Sequence, residues 1–173
     1  MLLWHLGVTA AVVYATLGRR RIDYRVVLLG ALLPDLIDIP LGRFLYPERF
    51  GTQHLFGHTL LLLVVGALVV MLCMRGETAR RWFVLPMAAL IHLGLDAMWN
   101  QPVTFWWPLF GTTFPRLPTG SWYGWLGQPW QVVKEVVGLG LLVYLWVGHD
   151  LQDRGHRREF LRTGRLEGAN PAR

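Results

Sequence analysis

The sequence has very little cysteine and little charge for its length. Its single cysteine, Cys73, excludes an internal disulfide and a cysteine-based zinc cluster, and its apolar surroundings are typical of a core or lipid-facing residue. Only 16% of the 173 residues are charged. No Gly-rich phosphate loop and no G-x-S-x-G motif occurs, so nucleotide binding by a P-loop and serine hydrolase chemistry have no support.

Apolar residues dominate the chain, at 53% of the total with nine Trp. They form five long segments, at residues 1–17, 26–41, 55–74, 82–99 and 131–148. Each segment is near the roughly 20 residues that cross a hydrocarbon layer about 30 Å thick. The length fits one domain. We therefore predict an all-α integral membrane bundle of about five transmembrane helices.

The basic residues predict the orientation of this bundle. Thirteen of the 17 lie between segments 1 and 2, between segments 3 and 4, or after segment 5. The positive-inside rule then places the N-terminus outside and the C-terminus in the cytoplasm. The chain is thus predicted to cross the inner (plasma) membrane of the cell several times. The net charge of +6 is explained by these loops, so no nucleic acid partner is expected. We predict a membrane-embedded domain at residues 1–151 and a flexible, basic cytoplasmic tail at 152–173.

The first apolar segment is predicted to be a retained helix. Its basic cluster, at residues 19–21, follows the apolar stretch, whereas a cleaved signal peptide has its positive charge in front.

Ionisable side chains inside the predicted spans gather on the outer side. Their spacings are four residues for two pairs and three for another, so each pair shares one helical face. All lie within about 12 Å of the outer surface, while the inner ends of the first four spans hold nothing comparable. The candidate metal ligands are His5, Asp35, Asp38, His54, His58, His92 and Asp96.

These residues predict a metal site facing the outer (extracytoplasmic) side. Buried ionisable groups in membranes usually face a bundle interior, and a divalent cation would both offset the carboxylates and bind the imidazoles. A donor set without thiolate suits zinc, with manganese or iron as alternatives. Seven candidates exceed the three protein ligands of one catalytic zinc, so one or two ions are expected.

Two-metal sites commonly hydrolyse phosphate esters, which predicts a membrane-bound metal-dependent hydrolase acting on a lipid or lipid-linked phosphate ester. In this hypothesis five residues hold the metal, while Asp38 or Glu135 orients or deprotonates the attacking water. The five are His5, Asp35, His58, His92 and Asp96.

Other interpretations remain open. Each residue alone has an ordinary explanation, such as a helix terminus for Asp35 or a surface pair with Lys134 for Glu135. The same cluster could serve a metal-ion or proton transporter, although a transporter needs polar residues in the inner half too. The basic tail could instead make the chain an adaptor for an acidic partner or for anionic lipid.

A Trp-rich segment at about residues 100–130 is expected on the outer membrane surface. It is either a plain aromatic belt or a lid that admits a lipid-like substrate. Its tryptophans are Trp106, Trp107, Trp122, Trp125 and Trp130.

The ordered motifs resemble the bacterial family of inner-membrane-associated metal-dependent hydrolases, some members of which are described as LexA-binding. After an early His come "LLPDLID", "HLFGHTL", "HLGLD" with "FWWP" behind it, and "VKEVV", which carries Glu135. The acids are three apart where the family has two, and the histidines of "HLFGH" are four apart where the family has five. The resemblance implies a metal-dependent hydrolase and leaves open which member of each pair is a ligand. The ordered set is also similar to that of zinc-dependent phospholipase C enzymes.

Overall fold

The computed structural model describes residues 1–17, 22–116 and 128–166. Within these ranges the chain is all-helical, which confirms the predicted class, and it forms seven α-helices. They are α1 (Leu2–Leu17), α2 (Tyr24–Ile39), α3 (Leu60–Cys73), α4 (Gly76–Leu95), α5 (Pro102–Phe105), α6 (Pro129–Gly148) and α7 (Arg154–Thr163). A π-helical turn at Pro40–Leu45 extends α2, and 3-10 turns lie at Phe56–His58 and Met98–Asn100.

Short polar side chains fix where several helices begin. The Asp23 carboxylate accepts a hydrogen bond from the Arg25 backbone N–H at the start of α2, and Thr59 does the same for Leu62 at the start of α3. Asp153 accepts from two N–H groups of α7. Such caps satisfy N–H groups that have no partner within the helix.

The bundle is organised around α1, α2 and α4. Helix α1 packs between α6 and α2, and α4 packs between α2 and α3. Glycines permit the closest approaches, because a Cβ on Gly7 would overlap the backbone of Gly138 on α6. This arrangement brings the N-terminal end of α1 beside the C-terminal ends of α2 and α4.

The outer faces of the bundle are apolar. Much of α3 and α6 exposes valine and leucine, for example Leu68 and Leu72 on α3 and Val132 and Val136 on α6. Faces of this kind suit contact with lipid or another apolar surface. Among the described helices, α6 is long and apolar enough to cross a membrane, while α1 and α3 are apolar but shorter. The number of five spans stays a prediction.

Two helix boundaries differ from the sequence prediction, and one difference matters for the site. Helix α3 begins at Leu60 rather than at residue 55, because Thr59 caps it. His54 therefore lies in a loop and His58 in a 3-10 turn, so their placement on one face of an α-helix was wrong. Helix α4 begins at Gly76 and ends at Leu95, with Asp96 as its cap residue.

Part of the segment predicted to be a flexible tail forms helix α7. The remaining tail residues, 167–173, lie outside the described part of the chain, as do the basic cluster at 19–21 and both Trp122 and Trp125.

Candidate metal centre

His58 is held by a fully buried carboxylate. Asp38, with none of its surface exposed, accepts a hydrogen bond from His58 Nδ1 at 2.7 Å. It also accepts from the backbone N–H groups of Leu55 at 2.6 Å, Gly57 at 2.7 Å and His58 at 3.2 Å. Asp38 is thereby committed to the turn behind His58, and the opposite ring nitrogen, Nε2, points away from it.

Backbone carbonyls orient His92 and His5 in the same way. His92 Nδ1 lies 2.6 Å from the carbonyl oxygen of Ala31, and His5 Nδ1 lies 2.6 Å from that of Met1. A carbonyl only accepts, so in each histidine Nδ1 carries the proton and donates it. In the neutral ring, Nε2 is then left with a free lone pair.

The three Nε2 atoms converge around the Asp96 carboxylate. Its Oδ1 lies 3.0 Å from His5 Nε2, and its Oδ2 lies 3.2 Å from His92 Nε2 and 3.5 Å from His58 Nε2. The rings of His5 and His92 are stacked, with centroids 4.1 Å apart. The Asp96 carboxylate is thus the point at which one end of α1, one end of α4 and the turn before α3 meet.

Asp35 and His54 complete the cluster. Asp35 Oδ1 lies 3.7 Å from His58 Nε2 and 4.0 Å from His92 Nε2. The His54 ring centre is 4.5 Å from that of His58, and its Nδ1 lies 3.0 Å from Gln101 Oε1. Asp35 is the most exposed carboxylate of the group at 23%, against 14% for Asp96, so the cluster opens on the side of Asp35.

The chemistry of these donors fits a metal ion. His58 Nε2 and His92 Nε2 lie 3.3 Å apart, yet both Nδ1 atoms already donate, so neutral rings present two lone pairs to each other and to carboxylate oxygens. A positive charge among them relieves this conflict. Three overlapping groups have donor atoms all within 4.8 Å of one another: His5, His92 and Asp96; Asp35, His58 and His92; and His54, His58 and Asp96. Imidazole and carboxylate without thiolate suit zinc, manganese or iron.

A family model matches residues 1–156 of the chain, described as YdjM inner membrane protein. The chain belongs to the YdjM inner membrane protein family. The match supports the expected inner-membrane family and says nothing of hydrolysis or of LexA. No curated protein and no solved structure matches the chain.

In this YdjM-family protein Glu135 contacts the start of α1. Its Oε2 accepts a hydrogen bond from the backbone N–H of Leu3 at 2.8 Å. The bond joins α6 to the first turn of α1, which carries His5. Glu135 is therefore positioned to hold α1 in place.

Part of the Trp-rich segment packs onto the turn that carries His58. Phe56, in that turn, contacts Trp107 and Phe114 edge-on, with ring centres 5.3 and 4.9 Å apart. Arg116 donates to the carbonyl of Glu48 at 2.7 Å and so joins the two loops on this side. The described part of the segment forms an aromatic wall beside the YdjM-family site.

Sequence reasoning missed the groups that orient the histidines. The carbonyls of Met1 and Ala31 carry no residue signal. Gln101 could have been found from the sequence, because it is a polar side chain five residues beyond Asp96. Gly57 is also required at the site, because a Cβ there would overlap the carbonyl of Pro34 and press on the Asp38 carboxylate.

Proposed function

We propose that the protein is a membrane-bound metal-dependent hydrolase that cleaves a phosphate ester of a lipid or lipid-linked substrate. The observation that carries the proposal is the convergence of three imidazole Nε2 atoms on Asp96, each ring fixed from behind through Nδ1. Rings fixed in this way lose little further freedom on binding an ion, which favours a permanent metal site.

In this proposal the metal is held by the three overlapping groups of ligands. A divalent ion bound there would polarise a phosphoryl oxygen and lower the pKa of a bound water. Six residues offer donors, enough for one ion or for two that share ligands. They are His5, Asp35, His54, His58, His92 and Asp96.

The carboxylates have different roles in this proposal, which follow from their burial and contacts. Asp38 is a positioning residue, because it fixes the His58 tautomer and the turn around it. Asp35, at the open side and close to His58 and His92, would orient the attacking water. Glu135 keeps α1, and with it His5, against α6.

A lipid substrate is supported by the surroundings of the site. The protein belongs to an inner-membrane family, and its helices expose apolar faces. The aromatic wall of Phe56, Trp107 and Phe114 lies beside the His58 turn. A phosphate ester on an apolar chain could approach the open side of Asp35 without leaving the membrane surface.

The packing of the other end of the bundle disfavours the transporter alternative. Among the described residues there, Val13, Val27, Val84 and Ala88 form a closely packed apolar cluster. An ion leaving the site in that direction would first meet apolar side chains, and the hydroxyls of Tyr14 and Tyr24 are the polar side-chain atoms of this cluster. Uptake of zinc or manganese into proteoliposomes, abolished by His92→Ala, would reverse this preference.

The decisive experiment is metal analysis of detergent-purified protein, wild type beside His58→Ala. We expect about one or two equivalents of transition metal in the wild type, by the ligand count of such sites, and a large loss in His58→Ala. His156→Ala is the matched control, since His156 is an exposed histidine of α7. Wild-type protein without stoichiometric metal would refute the proposal.

Hydrolysis is then tested with metal-loaded protein and a panel of phospholipids and polyprenyl phosphates. We expect phosphate-ester cleavage by the wild type and none by His58→Ala. If the protein binds metal and cleaves no member of the panel, the metal site is supported and the proposed hydrolysis of lipid phosphate esters is contradicted.

A further inference from the structure

Helix α7 presents a basic face to the outside of the bundle. Its exposed residues recur at intervals of three and four, so they share one helical face. At the centre of this basic face Leu161 is 63% exposed. The basic face consists of Arg154, Arg158, Leu161 and Arg162, and the exposed Arg165 adjoins it just beyond the end of the helix.

The opposite face fixes the helix to the bundle. Phe160, with Leu166 just beyond the helix, packs against the apolar cluster that contains Val13 and Val27. Arg25 Nη1 donates to the carbonyl of Leu161 at 2.7 Å. The basic face therefore has one defined orientation, outward.

Backbone contacts strengthen this attachment at the end of α7. The backbone N–H of Tyr24 donates to the carbonyl of Gly164 at 2.7 Å. Gly164 has a φ of +73°, and a Cβ at this position would overlap the Asp23 carboxylate. Only glycine fits both the left-handed backbone and the close approach.

The basic face lies at the end of the bundle opposite the metal centre. Five residues separate α7 from α6, the helix able to cross a membrane, and α7 contacts the start of α2. Arg80 and Arg81, at the start of α4, are on the same end and are exposed. Within the described residues, the guanidinium groups of Arg154, Arg158 and Arg165 have no acidic partner.

We propose that the basic face of α7 binds the anionic headgroups of phospholipids, with Leu161 inserted among the first methylenes. Arginines around a single exposed leucine complement a surface that is negative and has an apolar layer beneath it. The short connection to α6 keeps α7 next to the membrane, which favours a lipid surface over an acidic protein. Each arginine near an anionic membrane contributes roughly fivefold to binding.

The test uses the full chain with Cys73→Ala and a single environment-sensitive fluorophore on Leu161→Cys. The protein is reconstituted in vesicles of phosphatidylcholine alone or of phosphatidylcholine with one quarter phosphatidylglycerol. We expect phosphatidylglycerol to reduce quenching by aqueous iodide several-fold and to increase quenching by a lipid-attached nitroxide. Salt at 1 M, where the screening length is about 3 Å, should reverse both effects.

Two variants give the proposal its control. R154Q/R158Q/R165Q should lose the response to phosphatidylglycerol, with apparent affinity lower by roughly 100-fold for three arginines. R154K/R158K/R165K keeps the charge and should retain the response, and equal thermal stability of both variants shows that α7 remains folded. The proposal would be overturned if iodide quenched the fluorophore equally in both lipids, or if R154Q/R158Q/R165Q responded to phosphatidylglycerol as the unsubstituted protein does. Either result would favour an acidic protein as the partner of this face.

Discussion

His58 and His92, 34 residues apart in the chain, bring their Nε2 atoms to within 3.3 Å of each other. Each ring has its Nδ1 bound to an acceptor, so neither Nε2 can donate to the other while both rings are neutral. A metal cation bound by both lone pairs would relieve this conflict. The stability of the fold should therefore depend on that cation.

Removal of metal should lower the thermal stability of the wild type. A ligand present at about 100 times its dissociation constant contributes about 2.7 kcal/mol, which for a chain of this size corresponds to roughly 5–10 °C in Tm. We expect EDTA to lower Tm by this amount and zinc to restore it. His92→Ala should already melt at the lower temperature and respond little to EDTA; an equal response in both proteins would contradict the site.

Asp38→Asn tests the carboxylate behind His58. The amide keeps the shape of the side chain but brings an N–H₂ group against N–H donors of Leu55, Gly57 and the His58 ring. Loss of an orienting partner lowers metal affinity by about 10–100-fold, and each donor left unpaired costs about 1–3 kcal/mol. Metal titration and thermal unfolding measure the two effects.

Asp35→Asn is the matched control for Asp38→Asn. Asp35 is 23% exposed and lies on the open side of the cluster. Its substitution should reduce metal affinity with little loss of fold stability. If Asp38→Asn bound metal as tightly as the wild type, the role assigned to Asp38 would be wrong.

Glu135→Gln separates a tether from a proton-transfer group. A glutamine oxygen can still accept the bond that Leu3 N–H now donates to Glu135. We expect unchanged metal content and nearly unchanged hydrolysis in Glu135→Gln. Glu135→Ala should lose about 1 kcal/mol of stability, as is typical of one hydrogen bond. A fall in turnover of 100-fold or more in Glu135→Gln, with metal retained, would instead assign proton transfer to this residue.

The sequence predicts the helical class and the cluster because both depend on residue type and spacing. Asp35 and Asp38 are three apart on one helix, and the structure keeps both in α2. His54 and His58 escape the same reasoning, since Thr59 starts α3 after them and the intervening backbone is a turn. Asp38 bonds to that turn rather than to the open side, a relationship that exists only once α2 and residues 55–58 meet.

Gly138→Ala should disturb the metal centre from a distance. A Cβ at residue 138 would overlap the carbonyl of Leu3 and the backbone of Trp4, so α1 must move away from α6. Overpacking of this kind costs about 1–3 kcal/mol, and the movement displaces His5. We expect lower Tm and lower metal content. Gly140→Ala, on the same helix with nothing within 4 Å of the added Cβ, should have neither effect.

Lowering the pH should detach α7 from the bundle by protonating Asp23. Burial raises the pKa of this carboxyl, but hydrogen bonds from Arg25 and the charge of Arg81 outweigh it and hold the pKa below its usual range. Because the folded pKa is depressed, the stabilisation is complete above the unfolded value of about 3.9 and is lost as the pH falls through the folded value. Protonated Asp23 binds Arg25 less strongly, and Arg25 is what donates to the Leu161 carbonyl.

A nitroxide on Leu161→Cys, in the Cys73→Ala chain, reports this release as increased mobility between pH 5 and pH 3. Asp153 also titrates with a lowered pKa at the start of α7, so the measurement is made with Asp153→Ser, which retains a cap without a charge. Asp23→Asn in the same background should be mobile already at pH 7, since the amide offers no charge to Arg25 and Arg81. Equal mobility of the two proteins from pH 7 to pH 3 would show that Asp23 does not hold α7, and the attachment would then rest on Phe160 and the Gly164 backbone.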